Sequence, residues 1–338
     1  MRTFLVILSS LAVFQSSTER IYDAPVGNGL TLRATVSRAG RPQFRLTLTE
    51  RAGNRSWDLV TIPDEMGDAY KVLRGTSSSI IVEHNDSDYG VHHGTFAVFF
   101  DLPSKKFLKK VDFDPHEALK SIGPEEVRRV GLDPKVFEQI RNAPALLDHE
   151  NLQLPPSLRG ADLPQSTYSE FANARPMRVR DGYSADVTTI EERIGAAQEL
   201  DGRVWFGKTF YDGEGYTGVG GVGYFDVAAR HFGFLRIPQV VDWSVSALLV
   251  KDETLWAGLE RRPEGAEFSG GLLRHNLKTS VSRIYRVEDV ITSLHILGGA
   301  LVLGTSNGIY VLQNDRMIRH RLTPTLDGKF VFYSEPLN

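Results

Sequence analysis

Short runs of alternating apolar and polar residues recur along the chain. LTLRATVS (residues 30–37), QFRLTLTE (43–50) and RSWDLVTI (55–62) alternate in this way, which is the period of a half-buried β-strand. Short polar stretches separate them, so they read as three strands of one antiparallel sheet. The apolar run Lys329-Phe330-Val331-Phe332-Tyr333 is expected to supply that sheet's missing strand. From residue 114 the pattern changes. Asp114-Pro115, Gly123-Pro124 and Asp133-Pro134 each put a proline at a helix start, where its missing N–H costs nothing. PEEVRRVG and DPKVFEQIRN then read as short helices, and Leu154 to Pro164, with three prolines, as an extended linker.

Three further segments share one plan: a short apolar strand, a polar glycine-rich loop, a second apolar strand and a turn. They are Ser79–Phe107, Arg203–Phe232 and Thr254–Ser282. Trp205 and Trp256 fall at the same place, matched by Ile81 and Val302, and Gly207, Gly258 and Gly304 follow two residues after the tryptophans and Val302. A strand glycine at a fixed place implies that another backbone or sheet comes close there. Asp101, Asp226 and Asn276 close the second strand, where a short acid or amide side chain caps a turn N–H. DLPSKKF and DVAARHF are thus one hairpin written twice. The spacing of Trp205, Trp256 and Val302 is about 50 residues, close to the ~40–50 of known propeller repeats.

The most compact copy, Ile291–Leu322, has four apolar runs separated by Gly298-Gly299, Ser306-Asn307-Gly308 and Asn314-Asp315. Its core, ITSLHILGGALVLGTSNGIYVL, resembles the two-component-regulator propeller repeat, with Gly304-Thr305 and Asn307-Gly308-Ile309-Tyr310 matching that repeat's G-T and N-G-[LI]-Y positions. The other copies match in outline over residues 200–322 and, more loosely, Ala69–Phe113. The resemblance implies an all-β fold, a β-propeller; counting the repeats gives about five four-stranded blades, with residues 114–150 as a helical insertion. A sixth blade follows if Arg178 to Thr189 contributes strands. It implies little about activity, because such propellers often serve as sensing or binding modules.

The expected organisation is therefore a signal peptide over 1–17, blades one and two over 18–113, helical insertion and linker over 114–190, and blades three to five with ring closure over 191–338. In a four-stranded blade the loop between strands two and three emerges on the same face as the connection to the next blade. The loops His84–Gly94, Lys208–Gly221 and Leu259–Gly270 are much longer than Thr305–Gly308, so one face collects the extra length. Extra loop length on a rigid scaffold is where binding usually lives. The insertion should rise from the same face as a lid or docking flap, or else pack the flank.

Composition narrows the classes. With 39 basic and 42 acidic residues the formal charge is −3, so there is no basic field to attract nucleic acid. Zero cysteines exclude disulfides, thiolate zinc sites and cysteine nucleophiles. The N-terminal MRTFLVILSSLAVF has a basic start and an apolar run too short to span a bilayer, and it reads as an export signal with cleavage near Ser16 to Thr18. A large cysteine-free exported chain fits a bacterial periplasmic or secreted protein. No membrane span is expected after signal removal, and with no kinase or DNA-binding segment the chain reads as a stand-alone relative of sensor propellers.

The loops carry the candidate chemistry. His84, Asp86, Asp88, His92 and His93 gather three imidazoles and two carboxylates, the donor set of a divalent metal, though in no known metal spacing. Tyr89, Tyr211, Asp212, Glu214, Tyr216, Glu260 and Arg261 pair aromatic faces with charges, which suits a carbohydrate-like ligand. Two loop carboxylates held ~5–9.5 Å apart would instead serve glycoside hydrolysis. His295 is expected on an inner strand, towards a central channel. No G-x-S-x-G, Walker A, dinucleotide-binding or H-E-x-x-H motif occurs, and no cofactor is implied beyond that metal. The reading is an exported non-catalytic propeller that binds a ligand or a protein on the loop-bearing face. Its alternatives are a secreted carbohydrate hydrolase or lyase using loop carboxylates, and a protein-docking scaffold. A scaffold should expose an apolar patch on the helices.

Overall fold

The computed structural model describes residues 18–37, 43–51, 55–63, 69–85, 92–143, 191–211, 221–240, 243–261, 269–305 and 307–337. The chain divides into two compact units, residues 1–113 and 114–338. Arg178 to Thr189, the segment expected to decide a sixth blade, lies outside the described residues, as do residues 1–17.

The first unit holds two antiparallel four-stranded meanders. One is β1 (Thr18–Gly27), β2 (Leu30–Ser37), β3 (Gln43–Glu50) and β4 (Ser56–Pro63); the other is β5 (Ala69–Gly75), β6 (Ser79–Asn85), β7 (His92–Asp101) and β8 (Lys106–Phe113). Alternation decides what each face does. Leu30, Leu32, Ala34, Phe44, Leu46 and Leu48 join Ile80, Val82, Phe96, Val98 and Phe100 in one core. The opposite face of β2 and β3 carries Thr31, Arg33, Thr35, Arg45, Thr47 and Thr49, none of them buried. In the second sheet the other face is buried too, at Ile81, Ala97 and Phe99.

The first sheet corrects one expectation. Its fourth strand is β1, directly ahead of β2, and not the C-terminal run. β1 alternates poorly and is mostly exposed, with register shifts between Arg20 and Tyr22 and between Pro25 and Gly27. Such bulges are where an edge strand accommodates proline.

The second unit contains α1 (Pro115–Lys120), α2 (Pro124–Arg129) and α3 (Pro134–Arg141), then three sheets. The third sheet is β9 (Glu191–Leu200), β10 (Arg203–Tyr211), β11 (Gly221–Asp226) and β12 (His231–Leu235). The fourth is β13 (Ser244–Lys251), β14 (Thr254–Arg261), β15 (Ser269–Asn276) and β16 (Ser282–Val287). The fifth has five strands rather than four: β17 (Ile291–Leu297), β18 (Ala300–Thr305), β19 (Gly308–Gln313), β20 (Arg316–Pro324) and β21 (Phe330–Leu337). β21 is the C-terminal run, paired with β20 from Met317–Leu337 to Pro324–Phe330. A tight turn, in which the Thr325 N–H donates to the Lys329 carbonyl at 2.7 Å, folds the chain straight back, so the nearest edge captures it.

Within this unit the sheets stack through their first strands: β13 packs on β9 and β10, and β17 on β13 and β14. The repeat glycines explain the approach. A Cβ on Gly207 would lie 2.2 Å from Val245 Cγ1 of β13, and one on Gly258 would lie 2.9 Å from Ile291 Cβ of β17. Gln198 of β9 reinforces the first junction. Its amide donates to the Val250 carbonyl at 3.2 Å and accepts from the Val250 N–H at 2.5 Å. Turn chemistry repeats as well: Asp101, Asp226 and Asn276 accept from the N–H groups of Ser104 (2.9 Å), Ala229 (2.9 Å) and Thr279 (2.7 Å).

The helices start where the prolines put them. Asp114 caps α1 through the His116 N–H at 2.7 Å, and Asp133 caps α3 through the Lys135 N–H at 2.7 Å. They do not stand up as a lid. Ala118, Leu119, Val127, Phe137 and Ile140 are buried, α3 lies on β17 and β18, and α1 on β19 and β20. A Cβ on Gly304 would sit 2.6 Å from Ile140 Cγ2. Helix α3 thus fills, at the fifth sheet, the place a following sheet fills at the third and fourth. Helix α2 guards the open edge. Glu126 accepts the Phe332 N–H at 2.5 Å, Arg129 donates to the Phe332 carbonyl, and the two side chains pair with each other.

Candidate functional site

The expected loop site is only partly within the described residues. Asp86, Asp88, Tyr89, Asp212, Glu214 and Tyr216 lie outside them. Tyr211 and Arg261 end β10 and β14, in register with Glu191 and Ser269, and His92 and His93 open β7. His84 is a strand residue: its ring stacks on Tyr70 at 5.9 Å and 16°, lies 5.8 Å from Phe96, and covers Gly94, whose Cβ would fall 3.0 Å from His84 Nε2. Glu260 is buried near the end of β14, opposite Ser244 and Gly270. No group of three or more metal-ligating side chains occurs among the described residues.

His295, expected towards a central channel, is a half-buried residue of the first strand of its sheet. It stands on β17 opposite Val302, two residues after Ser293, whose hydroxyl lies close to Gly304. Its Nε2 is buried without a hydrogen-bond partner among the described residues, and burial lowers its pKa.

The N-G-I-Y signature has a structural role. Tyr310 is fully buried and its hydroxyl donates to Asp289, in the connection between the fourth and fifth sheets. Asn307 Nδ2 donates to the other oxygen of Asp289 at 3.0 Å. Burial first, then the negative Asp289, push the Tyr310 hydroxyl far up, so it stays a donor. Around them Arg319 binds Glu288 at 2.8 Å and Glu335 at 2.6 Å, and Arg321 lies 3.6 Å from Glu288 and 3.8 Å from Asp289. These carboxylates are engaged in ion pairs that tie the connection after the fourth sheet to strands of the fifth.

A pocket opens at the opposite end of the same two sheets, where the turns are short. It measures about 300 Å³ and is lined by Trp256 and Arg274 of the fourth sheet and by Ile296, Leu301, Leu312 and Asp315, among others, of the fifth. Leu301 and Leu312 are buried and form its apolar floor. Its rim is a charge cluster. Asp315 accepts from the Tyr285 hydroxyl at 2.6 Å and lies 3.0 Å from Arg283 and 3.7 Å from Arg274. The Tyr285 hydroxyl first, then both arginines, hold the Asp315 carboxyl below its usual range. Arg274 also sits 5.3 Å above the Trp256 ring. Both turns on the rim hold left-handed backbone, with φ +55 and +83 at Gly298 and Gly299 and +50 and +59 at Asn314 and Asp315, the pattern of tight two-residue hairpins.

Sequence reasoning named Trp256 for packing and Asn314-Asp315 for a turn, and passed over Arg274. Their meeting depends on the spacing of two sheets, for which GGLLRHN carries no local mark.

Helices α1–α3 turn their apolar residues inward, and none of the exposed large hydrophobic residues among those described falls within them. The apolar patch that a docking scaffold calls for is not present on them.

No family model matches the chain, and no curated protein matches it by sequence. Among solved structures it aligns with the extracellular domain of a putative one-component system from B. thetaiotaomicron, at 14% identity over 90% of this chain and 33% of that one, with a TM-score of 0.27. It also aligns with YjhT (10% identity, 92% and 79% coverage, TM-score 0.28) and with the Dos1 propeller (12% identity, 83% and 52% coverage, TM-score 0.23). The chain spans about a third of the length of the first of these. Similarity at this level carries no argument about function, and the fold rests on the sheets themselves: among the described residues, five antiparallel sheets, mostly four-stranded, which is consistent with a propeller. No helix among the described residues is long and apolar enough to cross a membrane.

Proposed function

We propose that the protein is an exported β-propeller that binds a ligand without transforming it, as a binding or sensing module. The pocket between the fourth and fifth sheets carries this reading. It has an apolar floor, one tryptophan face and a charged rim, surfaces that suit a small amphipathic molecule, and its one lining carboxylate, Asp315, already lies between a tyrosine and two arginines. Proton transfer needs a carboxyl group able to change state near neutral pH, and Asp315 is held the other way. The propeller reading is supported by the repeated glycine contacts and by first-strand stacking. Export is supported by the N-terminal apolar run and the absence of cysteine.

Ligand titration of the purified protein, followed by tryptophan fluorescence and thermal shift, tests this. Trp256→Ala should abolish the response, and Tyr211→Ala with Asp212→Asn should leave it intact. The converse result would move the site to the long loops. Release of sugar from a glycoside panel, lost on Asp212→Asn or Glu260→Gln, would replace the reading with a carbohydrate hydrolase.

A further inference from the structure

Resting on that reading, we infer that the pocket between the fourth and fifth sheets selects a small monocarboxylate with a flat apolar body. The contrast between two equivalent junctions gives the reason. In the third sheet the residue paired across from the repeat tryptophan is Tyr224, whose ring lies 5.2 Å from that of Trp205. In the fourth sheet the residue paired across from Trp256 is Arg274. At the same register, a second ring is exchanged for a cation beside a pocket of about 300 Å³.

The charges at the rim do not balance. Arg274 and Arg283 face the single carboxylate of Asp315, which already takes the Tyr285 hydroxyl at 2.6 Å and Arg283 at 3.0 Å. Arg274 stands 3.7 Å from it, past hydrogen-bond reach, with 47% of its side chain exposed; its polar neighbour at the rim is the Tyr285 hydroxyl, which leaves several of its five N–H groups for a ligand. A planar guanidinium with five N–H groups favours a carboxylate met two-point, and one net positive charge favours an anion with a single negative group. Trp256, Ile296, Leu301 and Leu312 exclude water from the other end of such a molecule. The two left-handed turns hold the rim in place before binding, which reduces the ordering cost.

Phenylacetate and its uncharged counterpart phenylacetamide are the probes, titrated by calorimetry and by Trp fluorescence against the wild type, Arg274→Met and Arg274→Lys. Phenylacetate should bind roughly tenfold or more tightly than the amide, with an advantage that shrinks at high salt. Arg274→Met should erase the difference by weakening phenylacetate far more than the amide, and Arg274→Lys should restore part of it. Equal binding of both probes by the wild type would overturn the carboxylate assignment and leave the pocket standing. No binding of either probe, with the Trp256→Ala variant indistinguishable from wild type, would overturn the pocket itself. Circular dichroism of each variant separates these outcomes from loss of fold.

Discussion

The fourth and fifth sheets are written with the same repeat, yet different elements cover them. Gly258 lies against Ile291 of the following sheet's first strand, and Gly304, its counterpart, lies against Ile140 of a helix. The repeat therefore specifies a flat socket, a strand face without a side chain at one register, rather than the element that fills it. A branched aliphatic side chain is what both occupants share. The positions one row away diverge accordingly. Gln198, in the third sheet, grips the backbone of the next sheet at Val250; His295 holds the same register in the fifth sheet and finds no such strand beside its buried Nε2.

Emptying each socket should have the largest effect. Ile291→Ala and Ile140→Ala should each destabilise by about 2–5 kcal/mol, as buried large-to-small changes do, and chemical denaturation would measure both. A loss under about 1 kcal/mol for Ile140→Ala alone would show that the helix merely rests on the sheet. Filling the sockets comes next. Gly207→Ala and Gly304→Ala should cost about 1–3 kcal/mol by overpacking, with Gly207 the worse because Val245 is stiff at its Cβ. Combining Gly304→Ala with Ile140→Ala should recover part of the loss, and a strictly additive double mutant would break the proposed contact.

Gln198→Leu should cost about 1–3 kcal/mol, since it strands the N–H and carbonyl of Val250 in a part-buried place. Thermal melts of Gln198→Leu beside His295→Leu sharpen the comparison, for the histidine has no such bond to lose and should cost less.

The smallest effect is on pH. Burial lowers the pKa of His275, His295 and His320 from the ordinary 6.5. The unfolded chain then takes up protons before the folded one, so stability is level above neutrality and declines as pH falls below about 6.5. Melting temperatures across that range should show the decline, and His295→Asn should make it shallower. An unchanged slope in that variant would mean that His295 titrates normally in the folded protein.

Much of this scaffold is legible in the sequence because it is local. Gly207 and Gly258 announce close sheets, Asp101 and Asp226 announce their turns, and Asp114 and Asp133 announce helix caps, each by chemistry reaching only a few residues. What escapes is partner choice. Lys329–Tyr333 is apolar enough for any open edge, and only the tight turn at Thr325 sends it to β20; TERIYDAPVG lacks the alternation that would mark β1. The pocket escapes for a related reason. Arg274 alternates as any outward strand residue does, and its value appears only when Asp315, from the next sheet, comes within 3.7 Å. The candidate loops around Asp86, Asp212 and Glu214 fall outside the described residues, so composition remains the ground for them.

The Glu126–Arg129 pair on Phe332 has a consequence for how the protein behaves in a crowd. A fifth strand leaves a row of amides that a neighbouring molecule could copy into a growing ribbon. The pair occupies both the donor and the acceptor of Phe332, near the start of that row, so an incoming strand would have to evict a charged clasp before it could pair there. Two side chains from a short helix thus act as a chain terminator, letting the sheet gain one strand from its own sequence and discouraging another from anyone else's.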